Sequence, residues 1–303
     1  EPQDVPFEKE GQYLKSDNRS NISYFLEHNV LLRRFTLSVG VLANYNSALN
    51  EGIHFYPGID ASYRIGDNVR LYGSWNRALR MPTFTDLYYE GKTNKGNPDL
   101  KPEESEAFEV GLKYNTYFLR AHIAGFYRKG KNMIDWVKEK PEDIWESQNL
   151  TKVDNLGFET NLSLLPRELG NERFFIRKIE LGYAFIHQDK DSEGYISNYA
   201  LDYLKHKFTA QLSHSIWKGF SATWYVRWQD RAGSYTKYEN LKPAYEEPYA
   251  PYCLVDMKVN WEYQRLNLYA ELNNLLNSTY YDLGNIPQPG IWFKAGFRYS
   301  FKY

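Results

Sequence analysis

The residues from Ile291 to Tyr303 alternate without a break between two kinds of side chain. Ile291, Phe293, Ala295, Phe297, Tyr299, Phe301 and Tyr303 take the odd positions. Trp292, Lys294, Gly296, Arg298, Ser300 and Lys302 take the even ones. Side chains on a strand repeat every second residue, so one register puts an aromatic-rich row on one face and three cations on the other. A sheet with hydrocarbon on one side and water or polar protein on the other suits that division, and a transmembrane β-barrel supplies it. An amphipathic edge strand of a soluble sandwich is the alternative for this segment taken alone.

The same alternation recurs over 22–30, 35–45, 59–65, 69–75, 108–114, 119–123, 156–164, 179–185, 208–212, 220–228, 255–261 and 266–272, which with the terminal segment makes thirteen candidate strands. Their opposite faces carry Arg70, Glu109, Lys113, His122, Asn161, Glu180, Gln211, Arg227, Asp256 and Glu271. A mean hydropathy of −0.66 excludes a helical bundle in lipid, and no run approaches the roughly 18 apolar residues of a spanning helix. It does not exclude a barrel, because half of every strand faces inward.

The connections alternate in length. Short turns fall near 32–33, 66–68, 115–116, 217–219 and 262–264, with a longer one at 166–173. Long loops are expected over 46–52, 79–104, 129–149, 189–201, 230–250 and 275–289. Short turns at one end and long loops at the other describe an antiparallel up-and-down barrel with its C-terminus on the short-turn, periplasmic side. No linker divides the chain, so residues 1–303 read as one partial barrel domain, and 1–19 as an extracellular loop entering the first strand. A closed antiparallel barrel needs an even strand count. Either one strand is miscounted or these strands belong to a larger barrel.

A net charge of −1 gives a nucleic-acid partner no electrostatic support. Cys253 is the only cysteine and reads as an apolar wall position. The six histidines show no metal-ligand spacing, and no cofactor or metal site is expected. No signal peptide precedes Glu1, which reads as the start of a mature product or of a piece cut within a loop.

One long loop carries a specific signature. It reads RALRMPTFTDLYY from Arg77 to Tyr89 and GNPDLKPEESEAFEVGL from Gly96 to Leu112. Asn155-Leu156-Gly157-Phe158-Glu159 forms an N-x-G-x-E strand. Asn273–Asn277, Tyr280-Tyr281 and Pro287–Gly290 precede the last strand. These pieces, in this order, resemble the barrel of TonB-dependent outer-membrane receptors. The resemblance implies an all-β transmembrane barrel of about twenty-two strands, thirteen of them here, with an N-terminal plug domain absent. It further implies coupling to the TonB–ExbB–ExbD complex through that plug, contact with outer-membrane lipids, and no enzymatic chemistry. Some family members also use a surface lipoprotein.

Within the family the layout most resembles the cobalamin (vitamin B12) receptors, from the spacing between GNPDLKPEES, Lys131–Trp136 and the N-x-G-x-E strand. Ferric-siderophore receptors share most of these features. By position, Lys205 and Tyr235 resemble substrate-contacting residues, with a lysine where an arginine is usual. Arg231 is a further donor for a ligand's amides or phosphate. Tyr88, Tyr89, Trp136, Trp145, Tyr238 and Tyr245 could supply flat apolar contacts. The motif residues themselves are expected to organise the loop and the wall.

Three rival readings carry less. A barrel enzyme would need Asp86, His187 and Ser192 to converge, which no spacing predicts. A passive porin does not need the signature loop. A soluble carbohydrate-binding sandwich would explain only the tyrosines.

Overall fold

A computed structural model describes residues 18–47, 52–140, 142–170, 173–191, 194–197, 203–239 and 242–301. Thirteen strands form the wall. They are β1 (Asn21–Leu31), β2 (Phe35–Asn46), β3 (Ile53–Arg64), β4 (Val69–Arg80), β5 (Glu103–Asn115) and β6 (Leu119–Lys138). Then come β7 (Trp145–Leu164), β8 (Ile176–Asp191), β9 (Leu204–Ser215), β10 (Phe220–Arg231), β11 (Tyr252–Tyr263), β12 (Leu266–Asn273) and β13 (Trp292–Tyr299). Each pairs antiparallel with the next in chain order, in one continuous sheet.

The registers keep the alternating rows together. Val39 faces Ile59, Ile59 faces Trp75, Trp75 faces Phe108 and Phe108 faces Tyr127. Across the far half of the sheet Leu181 faces Ala210, Ala210 faces Val226 and Val226 faces Val255. Slipping one pair by one residue would put a polar row into this band, so the pattern specifies the register. The result is one apolar face spanning all thirteen strands.

That face is not covered by protein. Val110 is 59% exposed, Ile123 52% and Phe297 73%. Only seven hydrophobic side chains among the described residues are buried, including Ala124, Val153 and Leu254. A water-soluble sheet of this size would leave an apolar patch far beyond the few hundred Å² that monomers tolerate. Hydrocarbon is the environment that fits it.

The opposite face is polar and internally paired. Tyr72 Oη donates to Glu109 Oε1 at 2.8 Å and lies 2.7 Å from His122 Nε2. Glu271 bridges Lys258 at 2.7 Å and Lys294 at 2.5 Å. Beside this face lies a cavity of about 650 Å³, lined by Lys113, Arg120, Glu180 and Arg227 among others. In the N-x-G-x-E segment Gly157 is required by packing. A Cβ there would sit 2.4 Å from Phe185 O and 2.5 Å from Phe126 Cζ. Its neighbour Asn155 accepts from Gln188 Nε2 at 3.1 Å, and Glu159 lies 3.7 Å from His122 Nδ1.

Two loop expectations are corrected. Residues 129–138 and 145–149 are strand, because β6 and β7 continue their ladder beyond the apolar band. Backbone pairing continues there although the apolar alternation that marks the band has ended. The 230–250 segment is largely a hairpin, Ser234–Glu239 paired with Lys242–Pro248. Residues 1–17 of the expected entry loop lie outside the described residues.

Candidate ligand-binding mouth

All long connections emerge at one end of the sheet. The signature loop between β4 and β5 starts with a short helix α1 (Phe84–Tyr88), capped reciprocally. Asp86 N donates to Thr83 Oγ1 at 3.1 Å, and Thr83 N donates to Asp86 Oδ2 at 2.9 Å. Beneath it Arg80 donates twice to Glu103, at 2.5 and 2.7 Å, across the tops of β4 and β5. Arg80 also lies 3.9 Å from Asp86. Glu103 Oε1 accepts a further bond from Ile134 N on β6 at 2.8 Å.

The Asn149 side chain on β7 brackets Lys101, accepting from its N at 2.8 Å and donating to its O at 2.9 Å. Gly96 passes so close to α1 that a Cβ would sit 2.8 Å from Leu87 C. The signature residues therefore hold one another, as the loop-organising reading expected.

The site residues proposed from sequence fall into two clusters and one outlier. In the first, Tyr88 stacks on Phe84 with ring centroids 6.2 Å apart, and Tyr89 meets Trp136 edge-on at 6.2 Å. Trp145 lies nearby on β7, with Lys138 Nζ 4.5 Å above its ring. In the second, Arg231 at the end of β10 donates to Asp282 O at 2.6 Å and lies 4.9 Å over the Tyr249 ring. Tyr235 packs against Tyr249 at 5.1 Å and Tyr281 at 5.9 Å. This cluster pins the 234–248 hairpin to the loop before β13, helped by Asn285 Nδ2 donating to Thr236 O at 2.7 Å. Burial pushes the Tyr235 phenol up, while the Glu247 carboxylate bonded to Lys237 at 3.0 Å raises that ammonium. Tyr238 and Tyr245 remain exposed on the hairpin.

Lys205 belongs to neither cluster. It is exposed, at the bulge where the β9–β10 register shifts between Leu204 and His206. Tyr249, Tyr280, Tyr281 and Asp282 were not singled out as site residues. Tyr252 Oη reaches Gln229 at 2.5 Å and Asp282 at 2.7 Å, and its ring meets Tyr280 at 4.7 Å. The tyrosine density of 245–252 and 280–281 was the available signal.

For an enzyme, Asp86 is committed to its helix cap and His187 pairs with Leu156 on the outward face. Ser192 lies outside the described residues. Among the described residues no three His, Cys, Asp or Glu side chains gather as a metal site. Cys253 is half-buried opposite Trp228.

An antiparallel wall that is apolar outside, polar inside and crowned at one end by ordered aromatic loops defines an outer-membrane β-barrel receptor. The chain belongs to the TonB dependent receptor-like, beta-barrel family, whose model matches residues 3–275. This is a family of receptors and transporters, not of enzymes. Among curated relatives, the vitamin B12 transporter BtuB of Vibrio vulnificus is 25% identical over 57% of this chain and 30% of its own length. The ferrienterobactin receptor of Escherichia coli is 22% identical over 88% of this chain and 38% of its own. The ferric enterobactin receptor PfeA of Pseudomonas aeruginosa superimposes with a TM-score of 0.73 at 20% identity, over 96% of this chain and 46% of that one. That last likeness shows the fold. The chain spans about a third of the length of the curated relatives.

Proposed function

We propose that this chain supplies thirteen wall strands and several mouth loops of a TonB-dependent transporter that takes up a scarce large ligand, cobalamin. The observation that carries the transporter reading is the Arg80–Glu103–Asp86 clamp, because it gives the family's signature loop a physical purpose. Ordered loops at the mouth are what a receptor needs to present a preformed surface. The remaining strands and a plug against the polar inner face come from the same receptor. TonB, with ExbB and ExbD, pulls on that plug to open a path. The C-terminus lies on the periplasmic side, at the short-turn end.

The cobalamin reading is supported by the similarity to vitamin B12 transporters of Vibrio vulnificus and Photobacterium profundum. Arg231, Tyr235, Lys205, Tyr88 and Tyr89 are the proposed contacts, with Tyr235 and Arg231 acting through one aromatic surface. A ferric siderophore is the second reading, favoured by the ferrienterobactin receptor's longer match to this chain. A surface lipoprotein partner fits either ligand.

Isothermal titration of the intact receptor in detergent tests the ligand. Saturable nanomolar binding of cyanocobalamin supports the first reading. Binding of ferric enterobactin without cyanocobalamin transfers the assignment to siderophores. Uptake that persists in cells lacking TonB would overturn the transporter mechanism.

A further inference from the structure

The wall forks at the mouth. The β3–β4 ladder runs from Arg64–Arg70 up to Gly58–Asn76 and stops there. The next residue on β3 is Pro57, which has no N–H to give β4. Above that point β3 stays with β2, through Tyr45–Ile53, while β4 stays with β5, through Arg80–Glu103. A cleft of about 460 Å³ opens there, lined by Asn21, Asn44, Asn46, Tyr56, Ala78 and Met81 among others.

The cleft carries the carboxamides of Asn21, Asn44 and Asn46 beside Arg77, whose guanidinium is already paired with Glu104 at 3.6 Å and Glu106 at 3.3 Å. Asn44 is 7% exposed, and its Nδ2 donates to Asn21 Oδ1 and Ser23 Oγ, both at 2.8 Å. Its Oδ1 is buried and has no hydrogen-bond partner among the described residues. An orphaned buried acceptor is costly, which marks it as waiting for a donor. The guanidinium of Arg19 also lines the cleft, donating to Pro82 O at 2.7 Å and lying 5.1 Å over the Phe84 ring. Among the described residues no carboxylate lines the cleft.

We propose that the fork between β3 and β4 is a ligand subsite that takes a primary carboxamide, its N–H donating to Asn44 Oδ1 and its carbonyl facing Arg19. A neutral amide offers a donor and an acceptor together, matching an acceptor and a cation in one cleft. The inference rests on the cobalamin reading, because the corrin periphery carries such side chains.

The test measures cyanocobalamin binding to the intact receptor, in wild type and two variants. Asn44→Leu keeps the branched outline in a larger side chain and removes the acceptor together with the bonds to Asn21 and Ser23. Met81→Trp fills the cleft and leaves the asparagine ladder alone. Each is expected to weaken binding about tenfold, as loss of one buried hydrogen bond implies. The monocarboxylate derivatives of cyanocobalamin, with one amide hydrolysed, supply the ligand-side half. One isomer should bind wild type about tenfold more weakly, with that difference lost in Asn44→Leu. Wild-type binding with both variants unchanged overturns the subsite and leaves the cobalamin reading standing. Absence of cyanocobalamin binding by wild type overturns both.

Discussion

Replacing Glu103 with alanine should loosen the whole signature loop. Glu103 is 8% exposed and its carboxylate accepts three bonds, two from Arg80 and one from Ile134 N. Its removal leaves the Ile134 amide without an acceptor, at a cost of about 1–3 kcal/mol. The Arg80 side chain is 49% exposed, so its charge regains water and the ion pair adds less than about 1 kcal/mol. A total of about 1–4 kcal/mol raises local opening about 5- to 700-fold, since 1.4 kcal/mol is a factor of ten. Amide hydrogen exchange in detergent reads this directly at Leu87, Tyr89, Gly96 and Asn97, whose N–H groups close the loop. Glu103→Gln keeps one acceptor oxygen without the charge and should fall between wild type and alanine. Unchanged protection of those four amides in Glu103→Ala would refute the clamp.

Two further outcomes test the wall and the hairpin. Val110→Arg, in the middle of the outward row, should cost about 2–4 kcal/mol in urea unfolding from lipid vesicles, whereas Ser74→Arg on the inner face should be tolerated; equal effects would contradict the assigned faces. Burial raises the Tyr235 phenol, so its packing contribution is complete below the unfolded value near 10 and fades only as pH rises through the higher folded value. An ultraviolet difference titration of wild type against Tyr235→Phe should place that phenol above 10, and ionisation at or below 10 would mean that the 249–281 aromatic cluster does not shield it.

Period-two alternation was legible in the sequence because lipid imposes it strand by strand. Each spanning strand must offer one apolar face whatever its neighbours are, so thirteen rows could be counted and all thirteen exist. The signature loop was legible as an organiser because Pro82, Pro98 and Pro102 restrict their own backbone. What Arg80 and Glu103 grip was not, since their partners Asp86 and Ile134 come from α1 and β6.

The outer extensions of β6 and β7 are not legible in the sequence, because the apolar alternation ends where the band ends. Their pairing depends on a backbone ladder that no side-chain pattern announces.

By itself, the sequence determined the strand count, the face that meets hydrocarbon, the end that carries the loops and the family. Those properties are local, written into the period of side chains along single strands and into one contiguous motif. Tertiary structure alone decided which distant residues share a surface. It joined Arg231 to Tyr249 and Asp282 across 18 and 51 residues of chain, and left Lys205 apart at a bulge. It also opened the fork above Pro57, where one missing N–H lets β3 and β4 follow different neighbours. Contacts between segments far apart in the chain arise from register and loop packing together, and neither is a property of any one segment.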